Sequence, residues 1–491
     1  MDKFDLCVIG SGPSGFAAAM RAIDFGKRVA LIERGKVGGA GIFDGALSSK
    51  TLWELSESYK LTHNTNLGYT VYDSEVHFGS VMQQAHRAVA EKHVQLKQQI
   101  AHFQKNGQLK FFNGHAKFAS KNEVNIIDAE GKTQTIWADN TVMAVGSRPR
   151  YLPNIPIDEK IILTSDGVSS LPDFPKSIVI LGAGVIGCEF ATIFSNFGKT
   201  KVYLIDKEDR ILPFEDEDIS RAVAANMEGN GAVIHHGASL EKMSVVNGKV
   251  EYVLNFKDGR KETHTVEKAL ISVGRVSNSE NLGLEAAGVV LNDRGNIDDE
   301  HTRSNVPNIY AVGDFTADIS LVNVGELEGR HAVERMFGQP ARELVYENIS
   351  TIMFLNPEVA AVGLNETQAR KKKIPYRVAQ MNYRYVNRAI AMSKVDGFFK
   401  ILVSDDADMK ILGMRVMGPH ASSTIMAVAL MISMDIGIEH LAELIFPHPS
   451  IPEGIQECAR MLMGTSIVKP EVFNLDVRCY RVDGEGRVED L

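Results

Sequence analysis

Two glycine motifs, each set between a short apolar run and a helix, limit what this 491-residue chain can fold into more than any other feature. The first, Gly10-x-Gly12-x-x-Gly15, follows Phe4-Asp-Leu-Cys-Val-Ile9 and leads into the small-residue stretch Ala17 to Ala22. The second, Gly182-x-Gly184-x-x-Gly187, follows Ser177 to Leu181 and leads into a helix ending at Gly198. Each glycine has its own task. Gly10 and Gly182 permit the tight turn, Gly12 and Gly184 let the backbone approach a pyrophosphate, and Gly15 and Gly187 let the helix pack on the strand. The helix start offers free N–H groups and a partial positive charge to the phosphates. Each unit continues with a second strand, Arg28 to Ile32 and Lys201 to Ile205, then an acid, Glu33 and Asp206, placed roughly 20 residues beyond the glycines to bond a ribose. The repeat predicts two dinucleotide-binding folds and therefore two dinucleotides.

Hydrophobic residues make up 44% and charged residues 23%, so the chain can fill roughly three domains of ordinary α/β composition. A net charge of -9 argues against nucleic acid or an anionic membrane as the main partner. The most apolar run, Ser177 to Phe197, carries three fingerprint glycines and Glu189, and no membrane span is expected. The four cysteines, Cys7, Cys188, Cys458 and Cys479, are far apart with no C-x-x-C pair. That spacing argues against a disulfide framework or a zinc site and fits a reducing compartment. The first strand begins with no leader ahead of it, so a cytoplasmic location is expected.

Between the two units, Val76 to Lys110 is polar with apolar residues at helical spacing and predicts a pair of long helices. Phe111 to Trp137 alternates like strands, and Pro149 and Pro153 mark a linker. Thr141-Val-Met-Ala-Val-Gly146, Ala269-Leu-Ile-Ser-Val-Gly274 and Asn308-Ile-Tyr-Ala-Val-Gly313-Asp314 read as buried strands ending in turns. From Tyr346 strands and helices continue without a fingerprint. The last stretch, Thr465 to Leu491, ends in a polar, glycine-containing tip expected to fray.

In this order the motifs resemble those of the flavoprotein pyridine nucleotide-disulfide oxidoreductases, the family of dihydrolipoamide dehydrogenase, glutathione reductase and mercuric reductase. The resemblance extends to about Gly464. It implies an α/β fold with two Rossmann-like dinucleotide-binding domains, for FAD and NAD, plus a C-terminal α+β dimerisation domain, and hence a homodimer. The implied divisions are 1–149 and 276–345 for the two parts of the FAD-binding and central domain, 150–275 for the NAD(P) domain, 346–464 for dimerisation, and 465–491 for an extension. Under the same resemblance Gly39, Ala40 and Gly146 belong to the FAD site, Asp314 accepts from a ribityl hydroxyl, and Gly274 ends the strand that returns from the NAD domain.

One segment departs from the family. Gly38-Gly-Ala-Gly-Ile-Phe-Asp-Gly-Ala-Leu-Ser-Ser-Lys50 resembles Gly-Gly-Thr-Cys-Leu-Asn-Val-Gly-Cys-Ile-Pro-Ser-Lys, but the two cysteine places hold Gly41 and Ala46. The dithiol chemistry does not carry over. Loss of two sulfurs removes bulk from the flavin face opposite the nicotinamide, which either admits a flat acceptor beside Phe43 and Asp44 or lets the backbone relax. Lys50 matches the family lysine near the flavin N5 and pairs with Glu189, where a cation stabilises negative charge on the ring and its partner offsets the burial. His448 and Glu453, in Phe446-Pro-His-Pro-Ser-Ile-Pro-Glu453, match the acid/base pair that reaches the partner subunit's flavin. A histidine between two prolines can also simply brace a turn. Asp206 bonds both ribose hydroxyls of NAD and repels a 2′-phosphate, favouring NADH, while Lys207 and Arg210 behind it leave NADP(H) use open.

The expected function is an FAD-dependent NAD(P)H oxidoreductase that passes electrons from NADH via FAD directly to a small acceptor, a quinone. The segment Gly-Gly-Ala-x-x-x-Asp, then Ser-Lys, with Asn387-Arg388-Ala389 downstream, resembles disulfide-less quinone reductases of the family. Two alternatives stand beside it. One is a soluble pyridine nucleotide transhydrogenase, whose members lack the histidine at the His448 place. The other is a non-catalytic flavin- or NADH-binding subunit that docks a protein partner through 465–491, with Cys479 as a candidate redox cysteine.

Overall fold

The computed structural model describes residues 1–63, 68–316, 319–338 and 343–491. Residues 339–342, just ahead of the division expected at 345, lie outside the described residues. The first fingerprint folds as strand Asp2–Ile9, helix Pro13–Asp24 and strand Val29–Glu33, with Gly10 at φ +101° in the turn. Leu109–Asn113, Val29–Glu33, Asp2–Ile9 and Thr133–Met143 lie side by side and parallel. Thr133–Met143 changes partner along its length. Its first residues pair antiparallel with Glu123–Ile127, and its last three pair parallel with Ile309–Ala311, which returns from much later in the chain. Gly146 and Asp314 are thereby brought to the carboxyl edge that also carries the first fingerprint, where ligands of open α/β sheets bind.

The second unit follows the sequence expectation in its strands and helix: Ser177–Leu181, Val185–Phe197 and Lys201–Ile205. Gly198 closes the helix at φ 63°, a left-handed cap that glycine adopts without strain. The parallel sheet runs Val233–His235, Lys201–Ile205, Ser177–Leu181, Lys268–Ile271, Ile162–Thr164. An antiparallel meander, Ala238–Val246, Lys249–Phe256 and Lys261–Val266, accompanies it. The expected proline linker is partly a strand. Ser147–Pro149 pairs antiparallel with Arg275–Ser277, so the way out to the second unit and the way back run together.

The stretch Val76 to Lys110, expected as two helices, is one helix, Phe78–Lys105, followed by the strand Leu109–Asn113. Helical periodicity alone does not count helices; the stop is set by Asn106-Gly107, with Gly107 at φ +73°. Its packing partner is Ala46–Thr62, which begins inside the Gly38–Lys50 segment.

From Thr351 the chain builds an antiparallel sheet in the order Thr351–Met353, Val359–Gly363, Ile411–Met417, Phe398–Ser404, Tyr376–Asn382, Val477–Val482, Val488–Asp490. The last two strands correct the expectation of a frayed tip. Val477, Cys479, Tyr480 and Val482 are buried in Val477–Val482, Arg481 bonds Asp405 at 2.6 Å, and the polar residues Asp483 to Gly486 form the turn of a hairpin. No described helix is long and apolar enough to cross a membrane.

Candidate active site

A cavity of about 1570 Å³ opens where the carboxyl edge of the first sheet faces the helix of the second unit and the strand Thr351–Met353. It is larger than the usual small-molecule pocket and suits an extended ligand. Gly10 and Gly12 line it, whereas Gly15 lies behind, with any Cβ falling on the carbonyl of Gly10. The helix Pro13–Asp24 has no side-chain cap at Gly12, and a Cβ there would meet only open space. An uncapped helix start facing a large cavity fits the diphosphate of FAD. Glu33, Gly39, Ala40, Gly146 and Asp314 line the same cavity.

The acids of the two units are held alike, by the residue that follows the first glycine. Ser11 N and Oγ both donate to Glu33 Oε2 at 2.8 Å, and Gly35 N donates to Oε1 at 2.7 Å. Ala183 N donates to Asp206 Oδ2 at 2.5 Å, and Glu208 N to Oδ1 at 2.9 Å. Gly182 and Gly187 are closed by the carbonyls of Ser272 and Gly182, while Gly184 is open and its helix uncapped, the same arrangement as in the first unit. Gly182, Gly184, Gly187 and Asp206 stand outside the large cavity, and what suits a nicotinamide dinucleotide there is the uncapped helix start with open space at Gly184. Gly274, at φ +102°, also lies outside it and accepts Arg150 N at 3.0 Å. Of the two cations behind Asp206, Lys207 is 84% exposed. Arg210 donates to the carbonyls of Pro213 and Glu215 at 3.1 and 2.8 Å.

Lys50 and Glu189 meet. Lys50 Nζ lies 2.7 Å from Glu189 Oε2, and the carboxylate, 6% exposed, also accepts Phe354 N at 3.0 Å through Oε1. The Phe354 ring centroid is 5.1 Å from the ammonium. Phe354 carries no sequence signal, because it enters from the antiparallel sheet region. Ser147 is also new: its hydroxyl donates to Asp314 at 2.5 Å and accepts Arg275 Nε at 2.7 Å, with Arg275 itself 3.8 Å from Asp314.

Gly41 lines the cavity, and a side chain there would fall on the Pro13 ring. Ala46, Phe43 and Asp44 line the cavity. Asp44 accepts Ser169 Oγ at 3.4 Å. Nearby Asp166 has its carboxyl pKa raised by burial, which Arg275 opposes and Asp44 reinforces.

His448 and Glu453 form a close pair, Nδ1 to Oε1 2.7 Å, with Glu453 Oε2 held by Ser450 N at 2.6 Å. The imidazole is 62% exposed and does not line the cavity of its own chain. With Nδ1 on the carboxylate, Nε2 is the nitrogen that faces outward. All four cysteines are buried and free, and none is among the described residues that line the cavity. Among the described residues no group of His, Cys, Asp and Glu could hold a metal ion.

Residues 4–329 match the pyridine nucleotide-disulphide oxidoreductase family, and residues 349–459 match its dimerisation domain. The dihydrolipoyl dehydrogenase of Chlamydia muridarum is 33% identical over 474 residues, covering 96% of this chain and 99% of that protein. One from Bacillus subtilis is 33% identical over 466 residues, 94% of this chain and 97% of its own. Among solved structures, LpdA from Mycobacterium tuberculosis has a TM-score of 0.86 at 25% identity, covering 94% of this chain and 100% of its own. A Cu(II) complex of the HOCl-induced flavoprotein disulfide reductase RclA from Escherichia coli has a TM-score of 0.84, with the same identity and coverage. The family uses FAD and NAD(P)H. With its two dinucleotide-binding units, its cavity at the first sheet's edge and its antiparallel C-terminal sheet, the chain belongs to the pyridine nucleotide-disulphide oxidoreductase family.

Proposed function

We propose that the protein oxidises NADH and passes the electrons through FAD straight to a small acceptor, a quinone, with no sulfur relay. The observation that carries this reading is a cavity wall that, among the described residues, contains the Lys50–Glu189 pair and no cysteine. FAD, when bound, supplies the two-electron chemistry. The chain supplies placement and charge. Gly10, Gly12, Gly39, Ala40 and Gly146 cradle FAD, Glu33 holds its ribose, and Asp314 its ribityl chain. The second fingerprint and Asp206 hold the NADH. Lys50 keeps a positive charge in the wall where negative charge develops, and Glu189 orients it while offsetting its partial burial. The acceptor lies on the side of Phe43, Asp44 and Ala46, and His448, aligned by Glu453, supplies it with a proton from the partner chain of a homodimer. In this reading residues 1–149 and 276–345 form the FAD-binding part, 150–275 the NAD part and 346–464 the dimerisation part. The extension 465–491 adds its two strands to the sheet of the dimerisation part.

The relatives named dihydrolipoyl dehydrogenases set the comparison that tests the reading. Purified protein is given NADH with a soluble quinone, with lipoamide, and with an NADP analogue. Rapid quinone reduction with no lipoamide turnover is expected; lipoamide turnover with no quinone reduction overturns the proposal. Reduction of the NADP analogue alone supports a transhydrogenase instead.

A further inference from the structure

Beyond the Lys50–Glu189 pair, buried charge concentrates where the start of the helix Glu217–Gly229 meets the antiparallel sheet, with Glu215 and Arg415 reaching the cavity wall and Lys400 behind it. Lys400, in the strand Phe398–Ser404, is fully buried. Its ammonium lies 2.7 Å from Asp216, 2.8 Å from Asp218 and 3.2 Å from Glu366. Arg415, in the next strand, donates Nε to Glu215 at 2.9 Å with both side chains 5% exposed, and Nη1 to the carbonyls of Val362 and Gly363 at 3.1 and 3.2 Å. Glu366 is tied to the C-terminal extension by the Tyr480 hydroxyl at 3.0 Å.

The same loop carries Asp206 at its other end. Ala183 links the two, donating its N–H to Asp206 and accepting Leu212 N at 2.9 Å, and Arg210 then bonds Glu215 O at 2.8 Å. With Glu215 N donating to Leu212 O at 3.0 Å, hydrogen bonds run from Asp206 through Ala183, Leu212 and Glu215 to Arg415, and the adjoining Asp216 carries the connection on to Lys400. Buried charges of this kind give little net stability compared with well-packed apolar residues. What a fully paired set does supply is a single arrangement, because any slip leaves a charge without its partner.

We infer that Lys400 and Arg415, backed by Glu366 and Tyr480, are positioning residues for the nicotinamide dinucleotide: they fix the loop from Asp206 to Asp216 against the antiparallel sheet, so that NADH binds in register with the cavity. This rests on the function proposed above. None of the four touches NADH; they act through the loop.

The test is anaerobic stopped-flow reduction of the bound flavin over a range of NADH concentrations, which separates the NADH dissociation constant from the limiting reduction rate. Three variants are used: Glu215→Gln/Arg415→Met, which removes both charges together, Tyr480→Phe, and the conservative Arg415→Lys. In the double variant the NADH dissociation constant rises about tenfold, and in Tyr480→Phe about threefold, as expected when binding geometry loosens without loss of a direct contact. FAD content and reduction of the flavin by dithionite stay as in wild type. Arg415→Lys, which keeps a cation opposite Glu215, recovers part of the affinity. An unchanged NADH constant in the flavin-loaded variants overturns the inference, and if the double variant does not retain FAD, Tyr480→Phe alone decides. A wild-type flavin that NADH does not reduce overturns the proposed function itself, and the inference with it.

Discussion

Lys50 and Glu189 stand 139 positions apart yet meet at 2.7 Å in the cavity wall, each projecting from an early turn of its helix, one after the Gly38–Gly45 segment and one after the second fingerprint. The pair joins the two nucleotide-binding halves. Replacing Lys50 by Met leaves Glu189 buried with only the Phe354 N–H. Quinone turnover should fall by about 10²-fold, the usual loss when one preorganised electrostatic group is removed, while FAD remains bound. Steady-state NADH oxidation with parallel flavin quantification checks it; turnover within about twofold of wild type would remove Lys50 from the mechanism.

His448 sits on Glu453 but outside its own chain's cavity, so in the proposed mechanism its proton is delivered across a dimer. His448→Ala is expected to slow quinone reduction at least tenfold, the lower end of general acid catalysis, and to leave flavin reduction by NADH unchanged. Stopped-flow measurement of the two half-reactions separates these. Equal slowing of both, or of neither, would leave the histidine as a turn brace only.

The thiols give a third prediction. Burial pushes the Cys479 thiol up to about 11, with Arg377 opposing, and burial raises Cys7, Cys188 and Cys458 as well. The thiolate is the reactive form, so at pH 8 only about a thousandth of Cys479 is poised to react. Treatment of the native protein with iodoacetamide should leave quinone turnover intact, with labelling appearing only after denaturation. Rapid inactivation with labelling of one cysteine would contradict the account.

Nicotinamide choice turns on Asp206. Arg210 is engaged with the carbonyls of Pro213 and Glu215, which leaves the exposed Lys207 as the cation beside a carboxylate that repels a 2′-phosphate. NADH should be preferred over NADPH by about 10²-fold in kcat/KM, and Asp206→Ala should lower that ratio at least tenfold by raising the KM for NADH. A wild-type ratio near one would refute this.

The Lys400 seam carries a pH signature. Burial raises the Asp216 carboxyl, but Lys400 and the N–H groups of Thr367 and Glu366 outweigh it, and the pKa falls below the ordinary 3.8. A depressed folded pKa means stability that is fully present above the unfolded value and lost as pH falls through the folded one. Asp216→Asn should therefore lower Tm at pH 7, and the difference from wild type should shrink below about pH 4. Thermal melts across pH 3 to 8 read this; a difference that grows in acid would contradict it.

Much of the fold was legible because glycine fingerprints fix the ends of the elements on either side of them. Ser177–Leu181, Val185–Phe197 and Lys201–Ile205 follow from the positions of Gly182, Gly187 and Gly198. What was illegible depends on partners remote in sequence. Arg415 and Glu215 are 200 positions apart with no local pattern to link them. Gly41 announces a missing side chain but not that Pro13 closes the space. The polar turn at Asp483 to Gly486 reads as a loose end until the strand Tyr376–Asn382 is known to offer an edge for Val477–Val482 to pair with.

The central claim is that electrons pass from the ring to the acceptor with no dithiol between them. An anaerobic titration of the holoenzyme with NADH counts the electrons it stores. The account predicts an endpoint at about one NADH per FAD, with full reoxidation by a quinone and none by lipoamide. Uptake of about two NADH per FAD, with lipoamide turnover, would place a redox disulfide beside the flavin and contradict it.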